Sequence, residues 1–244
     1  MFANRTVLIS FILLWAPAAF AEQAVSFTAD DGISINAVIS LPANSDDKSP
    51  AVIFIHQGGS DKSEWTRQPL FNAVVREGMV ALAYDVRGHG ESAGEADFST
   101  LFDDPKQAPL DLKAAITHLT DTGKVDVNRV AVVGASIGSN LAVMAMGNPD
   151  FNVKTAVAIS GKTSAVYNLA GAKNGELAFA SVYHIASAGE QNGLRAKWAE
   201  ELFERTARPR KIEIIEGSSG HGVAVFNDDP GLASRILNWL KETL

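Results

Sequence analysis

The hydrophobic and polar positions of this chain follow two different rhythms. Residues 22–43 carry period-2 segments, VSFTA and ISINAVISL, separated by Asp30-Asp31-Gly32. Successive side chains of a strand point to opposite faces, so this alternation predicts a hairpin of antiparallel strands. After the polar stretch ANSDDKSP the rhythm changes to continuous apolar runs separated by helix-like segments. AVIFIH precedes a helix around Glu64–Glu77, MVALAYD a loop and a helix around Leu110–Leu119, and VAVVGA a helix around Ile137–Met146. VKTAVAIS leads into a mixed Gly/Ala/Lys stretch, SVYHIAS into a helix around Leu194–Arg205, and KIEIIEG into a loop and a last helix from Gly231 to Leu244. Strands that are apolar on both faces and alternate with helices belong in a parallel sheet covered on both sides. Six such strands plus the hairpin predict an α/β fold with about eight strands, mostly parallel. No linker or repeat interrupts residues 22–244, so they read as one domain.

The first residues do not fit this pattern. MFANRTVLISFILLWAPAAFA has a positive charge at Arg5, an apolar run from Val7 to Trp15, and ends in the small-x-small motif Ala19-Phe20-Ala21. A membrane-spanning helix needs about 20 apolar residues, and Pro17 interrupts this run early. Residues 1–21 therefore read as a signal peptide cleaved near Ala21, and the protein as periplasmic or secreted, without stable membrane insertion after cleavage. Export permits disulfides, yet the chain has no cysteine, so its nucleophile, if it has one, is not a thiol. The formal net charge of −7 becomes −8 once Arg5 is removed, which opposes nucleic-acid binding. With 46% hydrophobic and 20% charged residues the chain is long enough for one sizeable core.

In parallel sheets the functional residues gather on loops at the carboxyl ends of the strands. Those positions hold His56-Gln57-Gly58-Gly59-Ser60, Asp85-Val86-Arg87-Gly88-His89-Gly90-Glu91-Ser92, Gly134-Ala135-Ser136-Ile137-Gly138, Ser187-Ala188-Gly189-Glu190 and Gly217-Ser218-Ser219-Gly220-His221-Gly222. A serine, an acid and a histidine thus occur in that order, each just past a different strand. Ser136 alone could be a turn residue, but a strand–turn–helix setting between glycines suits a presented nucleophile. Of the five histidines, His118 falls in a helix and His184 in a strand. His56 and His89 read as loop-packing residues, and His221 follows the last strand between two glycines.

These residues resemble the α/β-hydrolase superfamily, in particular the dienelactone-hydrolase-like small serine esterases, over nearly the whole of residues 22–244. Gly-Ala-Ser-Ile-Gly is similar to the nucleophile elbow G-x-S-x-G, and Tyr-Asp-Val-Arg-Gly-His-Gly-Glu-Ser to a D-x-R-G-x-G-x-S segment. The resemblance implies Ser136 as nucleophile, His221 as base and a carboxylate that orients it. Glu190 stands where the family usually has Asp, with Asp228 or Asp229 as alternatives. It also implies an oxyanion hole from the Ile137 N–H and one N–H of the HQGG loop. There Gln57 replaces the family's first glycine, leaving Gly58 as the expected donor and Gln57 as the alternative. Asp85 is expected to fix its turn with Arg87.

Residues 161–180 are too few for a large helical lid, so little or no cap is expected, and an open site for small or exposed acyl groups. Tyr167, Leu169 and Trp65 could line it or pack in the core. The reading is an exported carboxylesterase acting on a small-molecule ester, with no metal or cofactor implied. Its rivals are a peptidase, thioesterase or acyltransferase on the same site, or a non-catalytic binding protein on this scaffold.

Overall fold

A computed structural model describes residues 22–43, 48–95 and 97–244. The expected signal peptide, residues 1–21, lies outside the described residues. The strands are β1 (Glu22–Thr28), β2 (Ser34–Ser40), β3 (Ser49–Ile55), β4 (Val80–Tyr84), β5 (Val125–Ala135), β6 (Thr155–Ile159), β7 (Phe179–Ser187) and β8 (Thr206–Ile215). They form one eight-stranded sheet in the order β1-β2-β4-β3-β5-β6-β7-β8. β1 and β2 are antiparallel, β2 is antiparallel to β4, and the other pairs are parallel.

The helices among the described residues are α1 (Ser63–Thr66), α2 (Pro69–Arg76), α3 (Phe98–Asp103), α4 (Ala108–Asp121), α5 (Ile137–Met146), α6 (Thr163–Leu169), α7 (Leu194–Glu204), α8 (Val225–Asp228) and α9 (Leu232–Thr243). The single helix expected over Glu64–Glu77 is two. Gln68 is extended (φ −78°, ψ 137°) because it precedes Pro69, which then starts α2 where its missing N–H costs nothing. α3 and α6 were not foreseen, and they pack against each other.

The continuous apolar runs bury both faces of the sheet. From β3, Ala51, Ile53 and Ile55 join the core with Leu112, Ala115 and Leu119 of α4 and Leu141 of α5. Val52 and Phe54 point the other way, onto Leu70, Phe71 and Val74 of α2 and Ile236 and Leu240 of α9. α5 is buried from Ile137 to Ala145, as an apolar helix pressed between the sheet and its neighbours must be. None of these helices is long and apolar enough to cross a membrane.

The chain leaves β3 for β4 on one side and returns past it to β5 on the other. The crevice between the β3 and β5 carboxyl ends is thus a topological switch point, where such sheets hold their ligands. The register aligns these ends, with Ile55 opposite Gly134, Ala135 opposite Ile159, Ile159 opposite Ile185 and Ser187 opposite Ile215. Five strand-end loops far apart in sequence therefore share one edge of the sheet.

Candidate active site

Ser136 sits between β5 and α5 with φ 51° and ψ −108°, a conformation that side chains rarely adopt and that costs about 1–3 kcal/mol. Its N–H donates to the Ile159 carbonyl (2.8 Å), and its own carbonyl accepts from Ser139 and Asn140. The two flanking glycines are steric requirements. A Cβ on Gly134 would lie 2.6 Å from Ser139 N and closer still to the Gly138 carbonyl. A Cβ on Gly138 would lie 2.7 Å from the Ile55 Cβ and closer to the Ile55 carbonyl. The first glycine lets the turn fold back on α5, and the second lets α5 abut the end of β3. The N–H groups of Ile137 and Gly138, which open α5, have no intrahelical partner and lie at the positive end of the helix dipole.

His221 Nδ1 lies 2.5 Å from Glu190 Oε1. Glu190 is 4% exposed and belongs to the loop after β7. Its other oxygen, Oε2, accepts the Ser160 hydroxyl at 2.7 Å, and the Arg195 guanidinium stands 3.2 Å from Oε1 as an opposite charge. Arg195 Nη1 also donates to the Ser160 carbonyl. Asp228 and Asp229 are engaged elsewhere, with Ser218 and with Arg235. A pairing of the histidine with Glu190 leaves those two aspartates no part in it.

Ser160 directly follows β6 with φ 59° and is fully buried. Its Oγ donates to Glu190 and accepts the Gly222 N–H at 3.0 Å, tying the acid to the histidine loop. Its one sequence signal is its place at the end of the apolar run VKTAVAIS, just past a strand. Arg195 lies in the first turn of α7 and gives no such signal. Ser160→Ala leaves Gly222 N–H and one carboxylate oxygen without this partner. Stability is expected to fall by about 2 kcal/mol, a Tm drop of roughly 4–8 °C in a thermal melt. An unchanged Tm would show that the hydroxyl does not hold the acid.

The other histidines are occupied. His56 Nε2 accepts the Val86 N–H (2.9 Å) and its Nδ1 faces the Gln57 carbonyl (2.7 Å). Burial pushes His56 down to about 4 and His184, buried beside Thr206, to about 3. His89 Nδ1 faces the Arg87 carbonyl, and His118 stacks on Phe27.

Asp85 does fix its turn, but not with Arg87. Its carboxylate accepts from the N–H groups of Lys62 and Glu91 and from Lys62 Nζ, whereas Arg87 is bound by Asp111 and Asp31. In the HQGG loop the Gln57 N–H donates to Glu64 Oε2 (2.9 Å), which engages one of the two expected oxyanion donors. Gly58 packs under Phe98 and Ile137, where a Cβ would come within 2.5 Å of the Phe98 ring. Trp65, Tyr167 and Leu169 are buried core residues rather than lining residues. Phe98, 52% exposed, is a large apolar side chain beside Gly58. Among the described residues no three His, Asp or Glu side chains are grouped as a metal ion would need.

The sequence model of the family described as X-Pro dipeptidyl-peptidase (S15 family) matches residues 31–213. The chain belongs to this family. The S15 match includes Ser136 and Glu190 and ends before His221. A curated relative, Uncharacterized protein YcjY of Escherichia coli strain K12, is 32% identical over 122 residues, which are 48% of this chain and 39% of that protein. The chain spans between 39% and 44% of the length of the curated relatives it matches.

Among solved structures, the Pyrococcus furiosus esterase Pf2001 superposes with a TM-score of 0.72 at 19% identity, covering 92% of this chain and 93% of that one. The acetyl xylan esterase from Paenibacillus sp. R4 gives 0.72 at 16% identity, covering 97% and 88%. At such identities the likeness establishes the fold, that of the α/β hydrolases, which is the superfamily the strand-end motifs resemble.

Proposed function

We propose that this chain is a serine hydrolase that cleaves carboxylic esters through an acyl-Ser136 intermediate, and that it acts after export directed by residues 1–21. The observation that carries the proposal is the His221–Glu190 pair at 2.5 Å on the sheet edge that also bears the strained Ser136. In this reading His221 takes the Ser136 proton as Oγ attacks the ester carbonyl, and Glu190 orients the imidazole and balances its charge. The N–H groups of Ile137 and Gly58 receive the oxyanion, and each such donor is worth about 10²–10³ in rate. The intermediate collapses as His221 returns the proton to the departing alcohol. Water, deprotonated by the same histidine, then releases the acid and restores Ser136.

Support for an ester substrate comes from the short β6–β7 connection, which has no room for a large helical lid, and from the esterases that share the fold. Exposed Phe98 offers the acyl group an apolar wall beside Gly58 and Ile137. Family membership favours a second reading, a peptidase that releases X-Pro dipeptides. Assays of p-nitrophenyl acetate and butyrate beside an X-Pro p-nitroanilide and a thioester separate the two. The expected result is ester hydrolysis with kcat/KM at least about tenfold above the other classes. Preferential cleavage of the anilide would transfer the reading to the peptidase.

A further inference from the structure

Glu64 is a charged residue at the site that the proposed chemistry does not use. It lies in α1, half-buried, and its Oε2 accepts the Gln57 N–H at 2.9 Å. The same loop is closed on itself by the Ser60 N–H, which donates to the Gln57 carbonyl at 3.2 Å. No lysine or arginine among the described residues lies within ion-pair distance of it. The carboxyl therefore holds the His56–Ser60 loop at the Gln57 N–H, where the loop turns back on itself. The Gln57 side chain completes the arrangement, since its buried Oε1 has no hydrogen-bond partner and packs against Gly222, next to His221.

We propose that Glu64 is a positioning residue for the oxyanion loop, holding the Gln57 N–H so that the Gly58 N–H is the one presented to the substrate. This rests on the serine-hydrolase reading given above. The departure from the family's first glycine then acquires a purpose. A glutamine at that place has a main chain fixed by Glu64 and a side chain that braces the histidine loop through Gly222. Burial raises the Glu64 carboxyl to about 7, and the titratable groups that face it are His221 and Asp61. A glutamine at position 64 thus copies a form that the native side chain populates at neutral pH, with an acceptor oxygen at the same reach.

The test compares Glu64→Met, which keeps the volume and loses the acceptor, with Glu64→Gln, which keeps it. Both are assayed on p-nitrophenyl acetate, with Tm measured on the same samples. The Met variant is expected to lose about 10- to 100-fold in kcat with KM changed by less than about threefold, because a loop misplaced by an ångström loses transition-state contacts first. The Gln variant is expected to recover kcat to within about threefold of the native enzyme. If Glu64→Met does not fold, Gln57→Pro, which deletes the donor and leaves Glu64 in place, is expected to show the same loss.

Native kcat in the Met variant, or equal kcat losses in the Met and Gln variants, would overturn the proposal. The wild-type enzyme, treated with a fluorophosphonate, separates the two levels. If it is not labelled the hydrolase reading itself has failed; if it is labelled and Glu64→Met reacts equally fast, only the role of Glu64 has failed.

Discussion

Replacing Ser136 by Ala is expected to lower kcat for p-nitrophenyl acetate by about 10⁶. In the proposed mechanism the substitution removes the attacking oxygen and leaves His221, Glu190 and the main-chain donors in place. What remains is the modest catalysis that binding and an oxyanion hole provide without a nucleophile, about 10³–10⁴ over water. His221→Ala should reach a similar floor, and the double variant should fall little further, because the proposed mechanism has the two residues act on one proton transfer. Alanine adopts the φ of 51° no more readily than serine. Tm should therefore stay within about 3 °C of the native value. A residual rate within tenfold of native in Ser136→Ala would mean that the acyl group is not carried by this serine.

Gly134→Ala is the second large effect, and it should appear in stability as well as rate. The added methyl would fall on the Gly138 carbonyl and 2.6 Å from Ser139 N, both main-chain atoms that cannot rotate aside. Relief requires α5 to move off the end of β5, and α5 is buried against the sheet along nearly its whole length. A cost of about 3 kcal/mol follows, which lowers Tm by roughly 6–12 °C in a chain of this size. The same movement displaces Ser136 and the Ile137 N–H, so the folded fraction should lose at least about 10² in kcat. By contrast, Gly59 has nothing within contact of an added Cβ, although its φ of 78° disfavours alanine. Gly59→Ala is expected to cost only about 1 kcal/mol. Equal melting of the two alanine variants would contradict the steric account of the elbow.

The sheet was legible because both of its faces are buried. Runs such as AVIFIH and VAVVGA have no polar alternation to confuse them, and β3 and β5 indeed divide their side chains between two cores. Pro69 was visible in the sequence, yet the apolar spacing of Leu70, Phe71 and Val74 concealed that it starts a new helix. α3 and α6 escaped because short helices on loops lack a long amphipathic stripe.

At the site, Ser136, Glu190 and His221 stood out because each follows a strand. Ser160 follows one too, but a serine accepting one bond and donating another carries no motif. Glu64 and Arg195 reach the site from helices, at distances from Gln57 and Glu190 that only the folded chain defines. The pairing of Asp85 was misread for a related reason. Its neighbour Arg87 is drawn away by Asp111, a residue of α4 that the local sequence does not reveal.

The central claim is that Ser136 is an activated nucleophile. The most direct measurement is reaction with a fluorophosphonate probe, followed by mass spectrometry of the digested protein. A single adduct is expected on the peptide bearing Ser136, absent in Ser136→Ala and strongly slowed in His221→Ala. A native enzyme that resists the probe, or an adduct on another residue, would contradict the account.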